Sequence, residues 1–389
     1  MSAAVLAPNL TQDPRLLEEA LVAHFDAAGF RRVHPPVLQP ADVFLDLSGE
    51  SIRRRMYFTN DAQGHELCLR PDLTIPVART VLEEAMTLPA MVSYLGPVFR
   101  FRGAAPGEFL QAGVESFGRT DLEAVDAEML ALGLEVCAIY GLDTPEIRLG
   151  DVGLFSALLD ALPLAPAQRR RLMKDFGQGR ISTDFRRKPQ IAQAEGQTQA
   201  RHAGVLAALN GADPEAARAL ITDLLSIAGI STVGGRSVTE IAERFLEQAE
   251  LDAGAFSDEA ADILSRYLTI SGEPDEASSR MRALAQEAGI DLSAALKQFD
   301  QRAGFFTALG VDLSAVRFST AFGRPLDYYS GMVFELHDPA GRADGPLVAG
   351  GRYDKLLGRL GAPETVPGIG LAAWLERLAL LETSVQEGA

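Results

Sequence analysis

The sequence predicts an α+β fold: an antiparallel sheet flanked by helices and interrupted by a mostly helical inserted domain. Three observations predict it. Residues 1–165 mix strand-like runs with stretches of helical periodicity. Residues 166–310 are rich in Ala, Arg, Gln and Glu at helical spacing, with no convincing strand before their far end. Sheet patterning then resumes in residues 311–389, beginning with VRFSTAFGRPLDYYSGMVFELH. The regular exchange of parallel strand and crossover helix that marks a doubly wound fold is missing. So are a P-loop and a GxGxxG between strand and helix.

Each element has a local reason. Residues 11–29 read as an amphipathic helix, with Thr11 and Asp13 as cap candidates, Pro14 in the first turn, and Leu17, Leu21, His24 and Phe25 near one stripe. RRVHPPVLQP reads as an edge strand because of its prolines. RRRMYFT and ELCLR flank DAQGH as an antiparallel hairpin. Asp72 and Thr74 precede a helical pattern running to about Leu88, and Asp72 either caps it or projects a carboxylate into a site. PVFRF and FLQAGVESF form a hairpin around GAAPGE. Residues 121–141 form a long helix with an acidic first turn and Gly141 at its end. PEIRLGDVG is a strand leading into a further helix, and VPGIGLAAWLERLALLE is a strand running into a last helix.

Composition bounds the function. A chain of 389 residues with 47% hydrophobic residues holds two or three domains with ample core. No apolar run approaches membrane-spanning length, and the N-terminus lacks a signal-peptide pattern. Cys68 and Cys137 are too few for a disulfide framework or a Cys-based zinc site, which points to a reducing, cytoplasmic location. His24, His34, His65, His202 and His337 are scattered, so no metal site is expected. A net charge of −17 disfavours nucleic acid as a partner. The short basic clusters Arg53–Arg55, Arg169–Arg171 and Arg186–Lys188 read as solvated faces.

Four polar clusters fall on the predicted strands or their ends: Asp72 with Thr74; Gln111 with Glu115; Arg324 with Asp327, Tyr328 and Tyr329; and Gly350-Gly351-Arg352-Tyr353-Asp354. Alternation along the second hairpin strand puts Gln111, Gly113 and Glu115 on one face, with the glycine leaving room for a small molecule. Tyr328 and Tyr329 straddle the sheet, which sends one of them to the core. Together the clusters describe a pocket for a zwitterion. Carboxylates meet an ammonium group, Arg meets a carboxylate, and Tyr and Gln orient a polar side chain.

These stretches resemble histidyl-tRNA synthetase, a class II synthetase, over about residues 10–150 and 310–382. LRPDLT is similar to its LRPEGT segment, YLGPVFRFR to its motif 2, GRPLDYYSGMVFE and AGGRYDKLL to its histidine-binding motifs, and GIGLAAWLERL to its motif 3. The resemblance implies a class II aminoacyl-tRNA synthetase-like antiparallel sheet and a homodimer. It also implies histidine bound by Asp72, Thr74, Gln111, Glu115, Arg324, Tyr328, Tyr329 and Tyr353, with residual phosphate binding at Arg100 and Arg377.

The departures from the synthetase pattern carry the functional expectation. The chain ends just after motif 3, where the synthetase adds an anticodon-binding domain. FRFRGAAPGEFLQ is shorter than FRHERPQKGRYRQFHQ, and the loop arginine that grips ATP falls at Gly107. Trp374 stands where the synthetase has a glycine against which adenine packs, Pro325 follows Arg324 in place of a glycine, and Asp72 replaces a glutamate. The grip on phosphates is lost and the amino-acid half is kept. One family within the resemblance combines these features: the regulatory subunits of ATP phosphoribosyltransferase. Membership implies a non-catalytic chain with no cofactor, L-histidine as ligand, and a hetero-octamer with a short-form catalytic subunit. It further implies a part in histidine feedback inhibition at the first step of histidine biosynthesis, without tRNA. The alternative is a truncated histidine-activating ligase with a non-tRNA acceptor, favoured by Arg100, Arg324 and Arg377.

Overall fold

The computed structural model describes residues 14–48, 50–177, 179–182, 185, 256–324, 326 and 328–381. The cap candidates Thr11 and Asp13, the Arg186–Lys188 cluster, residues 186–255 of the expected insertion, and Pro325 and Asp327 lie outside the described residues.

The strands are β1 (Arg31–Arg32), β2 (Leu38–Pro40), β3 (Tyr57–Asn60), β4 (Glu66–Leu69), β5 (Ala90–Phe99), β6 (Glu108–Phe117), β7 (Glu146–Asp151), β8 (Ser271–Gly272), β9 (Val316–Ser319), β10 (Met332–His337), β11 (Val348–Arg352) and β12 (Gly368–Trp374). Nine of them form one sheet in the order β1-β5-β6-β12-β11-β10-β7-β9-β8, and β2, β4 and β3 form a small second sheet. The large sheet is antiparallel except for the β1–β5 and β7–β9 pairs. The proline-bearing segment sits at a sheet edge, as its missing N–H donors require.

The hairpin around GAAPGE pairs in register from Ala90 opposite Phe117 to Phe99 opposite Glu108. The Thr74–Glu83 helix is shorter than its sequence pattern: its C-cap is Glu84, and Ala85 follows at φ 48°. The Leu122–Ile139 helix packs on β11 and β12 behind the sheet. Gly133 permits this close approach, since a Cβ there would meet Leu336 at 3.2 Å and Phe334 at 3.3 Å.

The chain divides into two compact units. One is Met1–Ala161, Lys174–Ile181 and Tyr267–Ala389; the other is Leu162–Met173 and Ser182–Arg266. The Pro274–Ala288 and Ser293–Ala308 helices therefore belong with the sheet, whereas the sequence reading put everything up to residue 310 in the insertion. The reason is packing that local periodicity does not reveal: the Ser293–Ala308 helix lies on the Leu122–Ile139 helix. In the second unit, Phe185 and Phe256 meet edge to face at 5.6 Å, and the Phe185 N–H donates to Ser265 Oγ at 3.4 Å.

Candidate functional site

β6 is almost wholly buried, so its alternation is expressed in what each face touches rather than in exposure. Gln111 and Glu115, both 1% exposed, share one face. Around them, the turn before the Thr74–Glu83 helix supplies Asp72 and Thr74, and the end of β5 supplies Arg100. The segment between β9 and β10 supplies Arg324, Tyr328 and Tyr329, and the end of β11 supplies Tyr353. All of these except Glu115 line one cavity of about 130 Å³. Glu115 lies immediately behind that lining. The Tyr353 hydroxyl donates to its Oε2, and a Cβ on Gly370 would overlap it.

The carboxyls are the unusual feature. Oε1 of Glu115 and Oδ2 of Asp72 are buried and have no hydrogen-bond partner among the described residues. Asp72 both caps and projects, because its Oδ1 accepts the Ile75 N–H at 3.2 Å while Oδ2 stays unpaired. Burial pushes the Glu115 carboxyl up to about 8 from 4.5, against the pull of neighbouring hydroxyls, that of Tyr353 first. Burial also raises Asp72, opposed by the nearby Arg100 guanidinium. An unpaired carboxylate oxygen in such a place is costly unless a donor arrives.

The opposite chemistry lines the rest of the cavity. Arg324 donates to Glu335 at 3.2 Å and to the Tyr329 hydroxyl at 2.7 Å. Arg100 donates to the Pro71 carbonyl and is pushed down to about 10, first by burial and then by the like charges of Arg55 and Arg324. Tyr328 packs 5.0 Å from Tyr329 and edge-on to Tyr353 at 5.7 Å, giving an aromatic wall. Tyr328, 4% exposed, belongs to the hydrophobic core cluster, as one of the pair was expected to, and Tyr329 packs partly buried against it; both line the cavity. They do not straddle the sheet as strand residues, because β10 begins only at Met332.

Three expectations from sequence are corrected. Gly113 makes no room for a ligand: a Cβ there would strike the Leu371 carbonyl and the Tyr94 hydroxyl, so its space belongs to the protein. Arg352 and Asp354 do not line the cavity. Instead Arg352 donates to Asp126 at 2.6 and 2.8 Å and to Asp354 at 2.9 Å. Arg302 completes this buried network through Asp126 at 2.8 Å and Asp151 at 2.6 Å. Finally, Arg377 lies outside the lining; it donates to the Pro346 carbonyl at 2.7 Å and stacks 5.0 Å from the Trp374 ring centre.

The loop of the hairpin is closed on itself. Arg102 donates to the Pro106 carbonyl at 2.6 and 2.9 Å, pairs with Glu376, and covers the Phe109 ring at 4.1 Å. Trp374, 7% exposed, forms part of the cavity wall. Arg55 also lines the cavity, although the RRR run reads as a solvated face; Arg53 and Arg54 do not. Nothing in the local pattern singles Arg55 out; its carbonyl accepts the Phe101 N–H at 2.8 Å, a bond between distant segments. Among the described residues no group of three metal-ligating side chains occurs, and no helix is long and apolar enough to cross a membrane.

The histidyl-tRNA synthetase family model matches residues 4–223 and 216–378. The ATP phosphoribosyltransferase regulatory subunit of Brucella canis is 41% identical over 368 residues, covering 93% of this chain and 96% of that protein. The chain belongs to the ATP phosphoribosyltransferase regulatory subunit family. The fold of this regulatory-subunit family member is that of class II synthetases. A structure described as an ATP phosphoribosyltransferase regulatory subunit/histidyl-tRNA synthetase from Bacillus halodurans aligns with TM-score 0.64 at 19% identity, over 98% of this chain and 84% of that one. Histidyl-tRNA synthetase from Nostoc aligns with TM-score 0.62 at 18% identity, over 100% of this chain and 77% of that one.

Proposed function

We propose that this chain is the histidine-sensing regulatory subunit of an ATP phosphoribosyltransferase, acting on a separate short-form catalytic chain. The observation that carries the reading is the pair of orphaned carboxyl oxygens, Glu115 Oε1 and Asp72 Oδ2, beside a cavity that also presents Arg100 and Arg324. A ligand that satisfies this set needs nitrogen donors at two places and a carboxylate at a third. Histidine has an α-ammonium, an imidazole N–H and an α-carboxylate, and the Tyr328–Tyr329–Tyr353 wall suits its ring. Asp72, Thr74, Gln111, Glu115, Arg324, Tyr328, Tyr329 and Tyr353 hold it in this reading.

Adenylation is not supported by the same site. Arg102 is spent on Pro106 and Glu376, Arg377 on Pro346 and Trp374, and Trp374 itself occupies the wall. The chain therefore reads histidine without activating it. It couples that reading to the partner's turnover at the first step of histidine biosynthesis, in the cytoplasm, as a homodimer within a hetero-octamer. Linkage makes the coupling reciprocal: whatever histidine does to the partner's ligands, they do to histidine.

Reconstitution tests this. Adding the purified chain to a short-form catalytic subunit switches on phosphoribosyl transfer to ATP, and histidine suppresses it. Absence of activation refutes the regulatory reading. Histidine-dependent exchange of pyrophosphate into ATP by the chain alone would instead establish a histidine-activating ligase.

A further inference from the structure

The aim of Arg324 is set by a residue outside the cavity lining. Two of its five N–H donors are taken: Nε donates to Glu335 Oε1 at 3.2 Å and Nη1 to the Tyr329 hydroxyl at 2.7 Å. Its remaining donors have no partner among the described residues. Tyr329 lines the cavity beside Arg324, whereas Glu335 does not. Arg100 is engaged differently, with Asp72 nearby and the Pro71 carbonyl as acceptor, so Arg324 is the better placed to meet a ligand carboxylate.

Glu335 is itself held from a second side. Val333, Glu335 and His337 share one face of β10. A Cβ on Gly351, opposite Val333, would meet Tyr329 at 2.8 Å and Val333 at 2.9 Å, which puts that face on the side of the cavity. There His337 Nε2 donates to Glu335 Oε2 at 2.9 Å. Burial opposes ionisation of Glu335, but the His337 bond and the Arg324 charge outweigh it and hold the carboxyl below its ordinary range. Other cations close by are spent elsewhere. Arg148, opposite Glu335 across β7, donates to Glu146 at 3.1 and 3.3 Å, and Arg377 donates to the Pro346 carbonyl at 2.7 Å. Among the described residues, Glu335 therefore bonds to one arginine, Arg324.

A free arginine side chain samples many rotamers, and ordering it on binding subtracts from affinity. Holding the planar group at two places beforehand removes much of that cost and fixes where the free donors point. We propose that Glu335, with His337 behind it, is a positioning residue for the ligand's carboxylate. It fixes the Arg324 guanidinium so that the free donors face the cavity, and so sets the preference for an α-amino acid over the same molecule without a carboxylate. This role rests on the histidine reading above.

Calorimetric titration of the full chain with L-histidine and with L-histidinol, which carries a hydroxymethyl group in place of the carboxylate, tests it. The parent binds histidine more tightly than histidinol. Glu335→Ala weakens histidine by about tenfold and histidinol by about twofold or less, as expected when a charge-assisted contact is lost for one ligand alone. Retained histidinol binding also shows that the variant is folded. Glu335→Gln keeps an acceptor oxygen for Arg324 and recovers part of the loss; should the alanine variant not fold, the same split, smaller, is read in Glu335→Gln. In an Arg324→Ala background, Glu335→Ala causes no further loss of histidine affinity. A carboxylate needed only for packing would weaken both ligands alike, so equal losses overturn the positioning role. Unchanged histidine affinity in Glu335→Ala overturns it too, as do losses that add in the double variant. In all three cases the parent still binds histidine and the histidine reading stands. A parent that binds no histidine refutes that reading, and the positioning role with it.

Discussion

Tyr353 and Glu115 are 238 positions apart, yet the Tyr353 hydroxyl donates to Glu115 Oε2 and leaves the other carboxyl oxygen buried without a partner. One strand end thereby orients a carboxyl that another strand supplies. A donor from a ligand completes the arrangement. Glu115→Ala removes the acceptor and weakens histidine binding by roughly tenfold to a hundredfold, from the loss of a hydrogen bond to a charged group. Calorimetry on the parent and variant measures it, and unchanged affinity would refute the pocket assignment.

Gly370 is the neighbour that admits this carboxyl. A Cβ there overlaps Glu115 Oε2, and Gly370 is paired with Glu115 across β12 and β6 and with Gly351 across β11. Gly370→Ala pushes Glu115 off Tyr353 and weakens histidine binding at least as much as Glu115→Ala does. A crystal structure of the variant with Glu115 in place and full affinity would contradict this.

The ionisation of Glu115 makes two pH effects. Its folded value, about 8, lies above the ordinary 4.5. Folding of the empty chain therefore favours the protonated carboxyl. That contribution is complete below about pH 4.5 and is lost as pH rises through about 8. Melts of ligand-free Glu115→Gln should decline less with rising pH over this window than those of the parent. A cationic donor favours the ionised form, so histidine binding near neutral pH releases protons. Titrations in buffers of different ionisation enthalpy read that release, and Glu115→Gln abolishes most of it; equal proton release in parent and variant would assign it elsewhere.

The network of Asp126, Asp151, Arg302 and Arg352 is structural. Arg302 is 6% exposed and Asp126 0%. Arg302→Met leaves Asp126 and Asp151 short of a partner and costs about 3–5 kcal/mol, the range for breaking a buried ion pair. Urea unfolding measures the loss. A cost below about 1 kcal/mol would show that Arg352 alone satisfies Asp126.

Trp374→Gly tests whether the indole alone prevents adenylation. It enlarges the cavity wall and destabilises the chain by about 3–5 kcal/mol, as large-to-small changes of buried aromatics do. Histidine-dependent pyrophosphate exchange stays absent, because Arg102 and Arg377 remain tied to Pro106, Glu376 and Pro346. Its appearance would make Trp374 the sole block.

Sequence by itself determined the order of the main strands and helices around the site, the hairpin at β5 and β6, the shared face of Gln111 and Glu115, and the shortened loop. These follow from alternation, turn residues and length, all of them local. Tertiary structure decided what each polar group meets. Arg352 and Tyr353 are chain neighbours, yet Tyr353 lines the cavity and Arg352 joins the ion network. Gly113 and Gly370 look alike on paper, but one accommodates Tyr94 and the other Glu115. Arg55 reads as surface and is exposed, yet it also lines the cavity, with its carbonyl held by the Phe101 N–H. The physical reason is common to all three. A buried polar side chain is settled by partners that satisfy its hydrogen bonds, and those partners come from segments far apart in the chain.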